Sequence, residues 1–245
     1  MLKAVLFDLD GTLVDNVSLW REALSALMVA RQGHPVAGAV DGLRGTSVAE
    51  AVATVGRRLG WPASRATMDE HWVVNWVRDR YHAGVPWREG AHELVAAARA
   101  RGLKTALVTA SSRELVEAVR KDRHCPDFDE LVTGDDVTAT KPAPEPYRTA
   151  AEWLECEPEH CLAVEDSPVG VASALSAGCF VIAVGPDALT AETAGADPAR
   201  LRCVETLAEI RLDEIQLPEV ALPGIRPDRL LGAPIMARAA TTGVD

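Results

Sequence analysis

The feature that most constrains how this chain can fold is a four-residue apolar run, Ala4–Phe7, that ends in Asp8-Leu9-Asp10-Gly11-Thr12-Leu13-Val14-Asp15. Consecutive apolar residues bounded by a turn signal read as a buried strand. Carboxylates at the end of such a strand need a reason to be there. An isolated Asp-Gly is an ordinary turn, but two aspartates bracketing one leucine ahead of Gly-Thr are more than a turn requires. In an open α/β sheet ligands bind just beyond the carboxyl ends of the strands, which puts Asp8 and Asp10 where such a fold does its chemistry.

The rest of the chain supplies that fold. Trp20, Leu24, Leu27 and Met28 recur at helical spacing over residues 17–30, and Ser47-Val48-Ala49-Glu50 is a capping box opening a second helix marked by Val48, Val52, Val55 and Leu59. A third helix is expected over residues 64–81, with Met68, Trp72 and Trp76 four apart. Three helices without a strand, directly after a strand, read as an inserted helical domain. Trp20, Trp61, Trp72, Trp76 and Trp87 fall in it or at its edge, and large side chains suit the core of a small bundle. Trp20 is the one best placed to face the main domain as a stacking platform. Beyond Pro86 strands alternate with helices: strands at 104–108, 131–132, 161–164, 180–184 and 202–204, and helices ending near Gly102, starting at Ser111 with Glu114 at capping-box spacing, and spanning 146–154 and 169–177. This alternation implies an α/β fold with a doubly wound, mostly parallel sheet. The expected division is a core of residues 1–14 and 88–217, the helical insert at 15–87, and a Pro-rich tail at 218–245.

Net charge is −11, so nucleic acid and anionic membranes are poor partners. There is no apolar run of membrane-spanning length, no signal peptide is expected, and the five cysteines show no CxxC spacing. A cytoplasmic protein with reduced thiols is expected.

Three later strand ends offer what Asp8 and Asp10 need. Thr109, Ala110 and Ser111 combine hydroxyls with backbone N–H groups at the opening of a helix, a setting for phosphate oxygens. Lys141 precedes Pro142, Pro144 and Pro146, which stiffen its loop and make it a candidate to neutralise a phosphoryl group. Leu162-Ala163-Val164 ends in Glu165-Asp166, a second pair of carboxylates closing an apolar strand. Four converging carboxylates repel one another, and a divalent cation resolves this. With no histidine or cysteine among the ligands, an all-oxygen site favours Mg2+ over zinc.

The order Asp8-Leu9-Asp10-Gly11-Thr12, Thr109, Lys141, Glu165-Asp166 resembles the four motifs of the haloacid dehalogenase superfamily. The helical insert after the first motif resembles its helical-cap subgroup, which holds phosphoglycolate phosphatases and β-phosphoglucomutases; the likeness covers residues 1–217. It implies a Rossmann-like core under a cap, with Asp8 the nucleophile and Asp10 the general acid and base. It further implies Mg2+ held by Asp8, the backbone carbonyl of Asp10 and Asp166 with support from Glu165. Thr109 and the Ala110 amide would bind phosphoryl oxygens beside Lys141. Asp10 argues for phosphate esters, since relatives that cleave carbon–halogen or carbon–phosphorus bonds usually lack it. A sugar phosphomutase is the alternative; where β-phosphoglucomutase-like members carry a cap histidine and arginine, Trp20 and Val48 stand here, which favours hydrolysis, although Arg44 could hold a second phosphate. A phosphoacceptor signalling module would be about half as long, without the insert. The expectation is an Mg2+-dependent phosphatase, monomer or homodimer, acting on a small phosphorylated metabolite. A sugar or polyol phosphate is favoured, with Trp20, Arg44 and Thr46 as cap contacts.

Overall fold

In the computed structural model, residues 1–189, 197 and 199–215 are described; the Pro-rich tail lies outside them. Among these residues six strands form one sheet: β1 (Ala4–Phe7), β2 (Lys104–Val108), β3 (Glu130–Val132), β4 (Cys161–Glu165), β5 (Phe180–Val184) and β6 (Leu201–Val204). Their order is β3-β2-β1-β4-β5-β6, every pair parallel. β1 therefore sits centrally, with β2 on one side and β4 on the other, and the chain turns in opposite directions from it. That switch point opens a crevice at the carboxyl end of β1.

Side-chain alternation divides the sheet into two packed faces. Val5, Phe7, Leu107, Leu162, Val164 and Ile182 face α4 (Ala91–Ala100) and α5 (Arg113–Arg120), whereas Ala4, Leu6, Ala106, Val108, Ala163 and Val181 face α6 (Glu145–Trp153) and α7 (Pro168–Ala177). α7 stops at Gly178 in the left-handed conformation, as the sequence predicts.

Residues between β1 and α4 form α1 (Val17–Gln32), α2 (Val48–Leu59) and α3 (Ala66–Tyr81). The chain leaves and re-enters the sheet side by side: the Asp15 amide donates to Pro86 O at 2.8 Å and the Arg88 amide to Leu13 O at 2.8 Å. α3 packs on both α1 and α2 and touches α5. Two expectations fail here. The buried stripe of α3 is Val73, Val74, Val77 and Tyr81, not Met68-Trp72-Trp76; Met68 is 60% exposed. The five tryptophans do not form the centre of the bundle but pack as half-buried residues around Leu24, Leu27, Val52, Val55, Val73 and Val77. Short aliphatic side chains let three helices approach closely, and the indoles close the rim, where each N–H can find an acceptor. α3 also carries Asp69, buried and paired with Arg31 of α1, a polar position inside the face that the indole spacing hid.

A 3₁₀ turn at Gly134–Asp136 braces the loop after β2, with the Gly134 amide donating to Ser111 O at 2.9 Å. Asp136 closes the turn by accepting from the Thr133 amide (2.8 Å) and hydroxyl (2.6 Å), and it pairs with Arg113 at 2.5 Å. Partial burial raises its carboxyl pKa, but these partners more than offset that and the net shift is downward. A depressed pKa contributes stability above the unfolded value of about 3.9, lost as pH falls through the lower folded value. Asp136→Asn is therefore expected to cost about 1 kcal/mol at pH 7, with the gap to wild type closing as the solution is acidified below pH ~4. Urea unfolding at both pH values measures this, and a gap independent of pH would contradict it.

Candidate active site

Asp8, the residue after β1, is 6% exposed; its amide donates to Val164 O at 3.1 Å, locking it to the end of β4. Lys141 reaches under it from the Pro-rich loop, donating to Asp8 Oδ1 at 2.7 Å, Glu165 Oε1 at 2.6 Å and Val108 O at 2.9 Å. Burial alone would lower the lysine pKa, but Asp8 and Glu165 reverse this and hold it above its ordinary value, fully charged. The Asp8 carboxyl is pushed well above the usual range, first by burial and then by Glu165, with Lys141 opposing and Asp166 and Asp10 adding to the rise. Its second oxygen, Oδ2, is buried and finds no hydrogen-bond partner among the described residues.

Glu165, the last residue of β4, is completely buried and held from every side: by Lys141, by the Tyr147 hydroxyl (2.7 Å), and by the Ser167 hydroxyl (3.1 Å) and the Asp166 and Ser167 amides. Gly170 is required behind it, since a Cβ there would overlap the Glu165 carboxylate. Asp166 accepts from Thr12 Oγ1 at 3.1 Å through Oδ1. Carboxylate oxygens of Asp8, Glu165 and Asp166 lie within 4.8 Å of one another. Gly11, with φ +90°, lets the first loop pass over Asp166, because a Cβ at that position would strike its carboxylate.

Asp10 is surrounded by neutral donors. Its Oδ2 accepts from Thr109 Oγ1 (2.9 Å) and Ser111 Oγ (2.7 Å), and its Oδ1 accepts from Asn16 Nδ2 (2.6 Å) and Trp20 Nε1 (3.0 Å). Asn16 also donates to the hydroxyl of buried Tyr81 at 2.7 Å. Thr109 and Ser111 thus converge on the centre with their hydroxyls turned to Asp10, and Ala110 lines the cavity beside them. The expected cap of α5 is corrected: Ser111 does not cap the helix, its hydroxyl being spent on Asp10, and Ser112 stands at the N-cap with no side-chain cap bond.

The helical segment closes the other side. Trp20, Arg44 and Thr46 line a cavity of about 250 Å3 whose floor is Asp8 and Asp10. Arg44 does not point into open space. It donates to Asp166 Oδ2 from Nε (3.0 Å) and Nη2 (2.5 Å), and from Nη1 to Asp187 Oδ2 at 2.9 Å. Burial raises the Asp166 carboxyl pKa and Glu165 adds to it, while Arg44 and Thr12 act the other way.

Sequence reasoning missed Asn16, Tyr81, Tyr147 and Asp187, and it named Thr12 only as part of the first motif, without its bond to Asp166. Only Asn16 left a trace: it stands at the N-cap of α1, a position its residue type suits, yet makes no cap bond because its amide serves Asp10.

Comparison with known proteins agrees with this geometry. Residues 2–178 match the haloacid dehalogenase-like hydrolase family. Hexitol phosphatase A of Escherichia coli is 34% identical over 77% of this chain and 85% of its own. Among solved structures, CbbY from Rhodobacter sphaeroides in complex with phosphate superimposes with a TM-score of 0.70 at 28% identity, covering 85% of this chain and 96% of that one. β-Phosphoglucomutase from Clostridium difficile shares the fold at 19% identity, with a TM-score of 0.74 over 87% of this chain and 95% of that one. The chain belongs to the haloacid dehalogenase-like hydrolase family, as a phosphoric monoester hydrolase.

Proposed function

We propose that this chain is a Mg2+-dependent phosphatase that transfers the phosphoryl group of a small sugar or polyol phosphate to Asp8 and then to water. The observation that carries the reading is the state of Asp8: one carboxylate oxygen fastened by Lys141, the other buried, unpartnered and beside Asp10 at the floor of the cavity.

In this reading Asp8 Oδ2 attacks phosphorus, an aspartyl phosphate forms, and the bond to the leaving oxygen breaks as Asp10 gives that oxygen a proton. Water then attacks the same phosphorus, Asp10 takes its proton, the Asp8–phosphorus bond breaks and inorganic phosphate leaves. Asp10 suits both tasks because its four donors hold the carboxylate in one orientation. Lys141 fixes the nucleophile and places positive charge beside the phosphoryl oxygens, which Thr109 and the Ala110 amide receive.

A divalent cation fits here on the chemistry of the donors. The crowding of the buried carboxylates of Asp8, Glu165 and Asp166 calls for positive charge, and all-oxygen ligands select Mg2+. Asp8, Asp166 and the backbone carbonyl of Asp10 would hold it, with Glu165 supporting from behind. When bound, it would supply neutralisation of the phosphoryl oxygens. Residues 15–87 would serve as a cap that excludes water, with Trp20 and Thr46 against the substrate. No helix among the described residues is long and apolar enough to cross a membrane, and a cytoplasmic monomer or homodimer is the setting we assign.

The test is phosphate release from a panel of sugar, polyol and short-acid phosphates with Mg2+ and with chelator. Turnover should need the cation; release indifferent to chelator would sink the mechanism.

A further inference from the structure

The cavity over Asp8 and Asp10 is walled on its helical side mainly by aliphatic side chains. On the helical side Val17, Leu24, Val40, Leu43, Val48 and Val73 supply the surface, six aliphatic side chains drawn from α1, α2, α3 and the loop between α1 and α2. The polar groups among them are already engaged. The Trp20 N–H is on Asp10, and the Thr46 hydroxyl donates to Leu43 O at 2.8 Å. The Arg44 guanidinium is shared between Asp166 and Asp187, and Arg21 lies 3.5 Å from Asp41 with much of its side chain in solvent.

A fully hydroxylated sugar carries a donor and acceptor on nearly every carbon, and each loses its water on entering an apolar wall. A hydroxyl left unpaired in such a place costs about 1–3 kcal/mol. A second phosphate is worse served, since Arg44, the cation nearest the floor, would have to leave Asp166 and Asp187 to meet it. An alcohol with an apolar face loses nothing against this wall and gains burial. A cavity of about 250 Å3 is small, enough for one ring and its phosphate.

We infer that the leaving group is a neutral alcohol with an apolar face, a deoxygenated or carbocyclic polyol carrying a single phosphate, in preference to a fully hydroxylated sugar or a bisphosphate. This rests on the phosphatase reading of the same site.

Three probes of matched ring size decide it: glucose 6-phosphate, cyclohexylmethyl phosphate, which keeps the ring and loses its hydroxyls, and glucose 1,6-bisphosphate. With Mg2+, kcat/KM should rise at least ~5-fold from the first to the second, whereas a site built to read hydroxyls would reject the second by about 10⁴-fold. The bisphosphate should fall below glucose 6-phosphate by ~10-fold or more, because Arg44 is committed to Asp166 and Asp187. Leu43→Asn, at the half-exposed rim of the wall, should erase the advantage of the cyclohexyl compound. A ratio at or below one in wild type, with turnover still chelator-sensitive, overturns the inference and leaves the phosphatase reading standing. Binding of the three compounds to Asp10→Asn protein, measured by calorimetry, reads the same order of preference without turnover. If hydrolysis fails, the order of those affinities alone upholds or overturns the inference.

Discussion

Asp8→Asn protein is expected to fold normally and to release phosphate slower than wild type by about four orders of magnitude or more, the scale on which an enzyme falls when its nucleophile is removed. The substitution keeps the shape of the side chain and its acceptor for Lys141, so geometry is preserved. What disappears is the oxygen that, in the proposed mechanism, attacks phosphorus. Stability should stay within about 1 kcal/mol of wild type, because the lost attraction to Lys141 is set against relief of repulsion from Glu165, Asp166 and Asp10. Rapid-quench measurement of bound phosphate together with urea unfolding separates the two quantities. Residual turnover above a few per cent in a fully folded variant would remove Asp8 from the role of nucleophile.

Lys141→Met is expected to injure the fold as well as the chemistry. The ammonium is 3% exposed and is the cation between two buried carboxylates, Asp8 and Glu165. Taking away one partner of a buried ion pair leaves an uncompensated charge, at about 3–5 kcal/mol. The metal-free protein should therefore unfold at much lower urea, and activity should vanish even where the protein remains folded. Adding Glu165→Gln to Lys141→Met should restore part of the lost stability, since the glutamine is neutral and Tyr147 and Ser167 still offer it hydrogen bonds. The double variant should remain inactive. Equal stability of the single and double variants would mean that Lys141 is not the counter-charge for Glu165.

Most of the sheet was legible because a strand buried on both faces must be written in apolar residues. β1, β4 and β5 are buried at every position, and each was expected within a residue of its bounds. The motif residues were legible for a related reason: carboxylates and a lysine beside such strands are expensive unless something collects them, and parallel strands bring their carboxyl ends together. The helical segment was less open to reading. The stripe Met68-Trp72-Trp76 has the right period but lies one position off the face that packs, because aromatic size drew attention away from Val73 and Val77. Asn16, Tyr81 and Asp187 left almost no mark, since each matters only through where α1, α3 and the turn after β5 cross the site. The contact of Arg44 with Asp166 spans 122 positions, and neither residue carries a local sign of the other.

That last contact has a consequence in terms of linkage. Asp166 Oδ2 holds two N–H groups of Arg44, so a cation taking this oxygen would displace the arginine, whose third contact is with Asp187. Cation occupancy and the docking of the loop between α1 and α2 onto β4 then compete for one atom. By thermodynamic reciprocity, whatever factor the docked loop takes from cation affinity, the cation takes from docking. If a cation fills these carboxylates as proposed, ionic conditions would loosen the roof of the cavity, and through Arg44 access to Asp8 would depend on the ions around the protein.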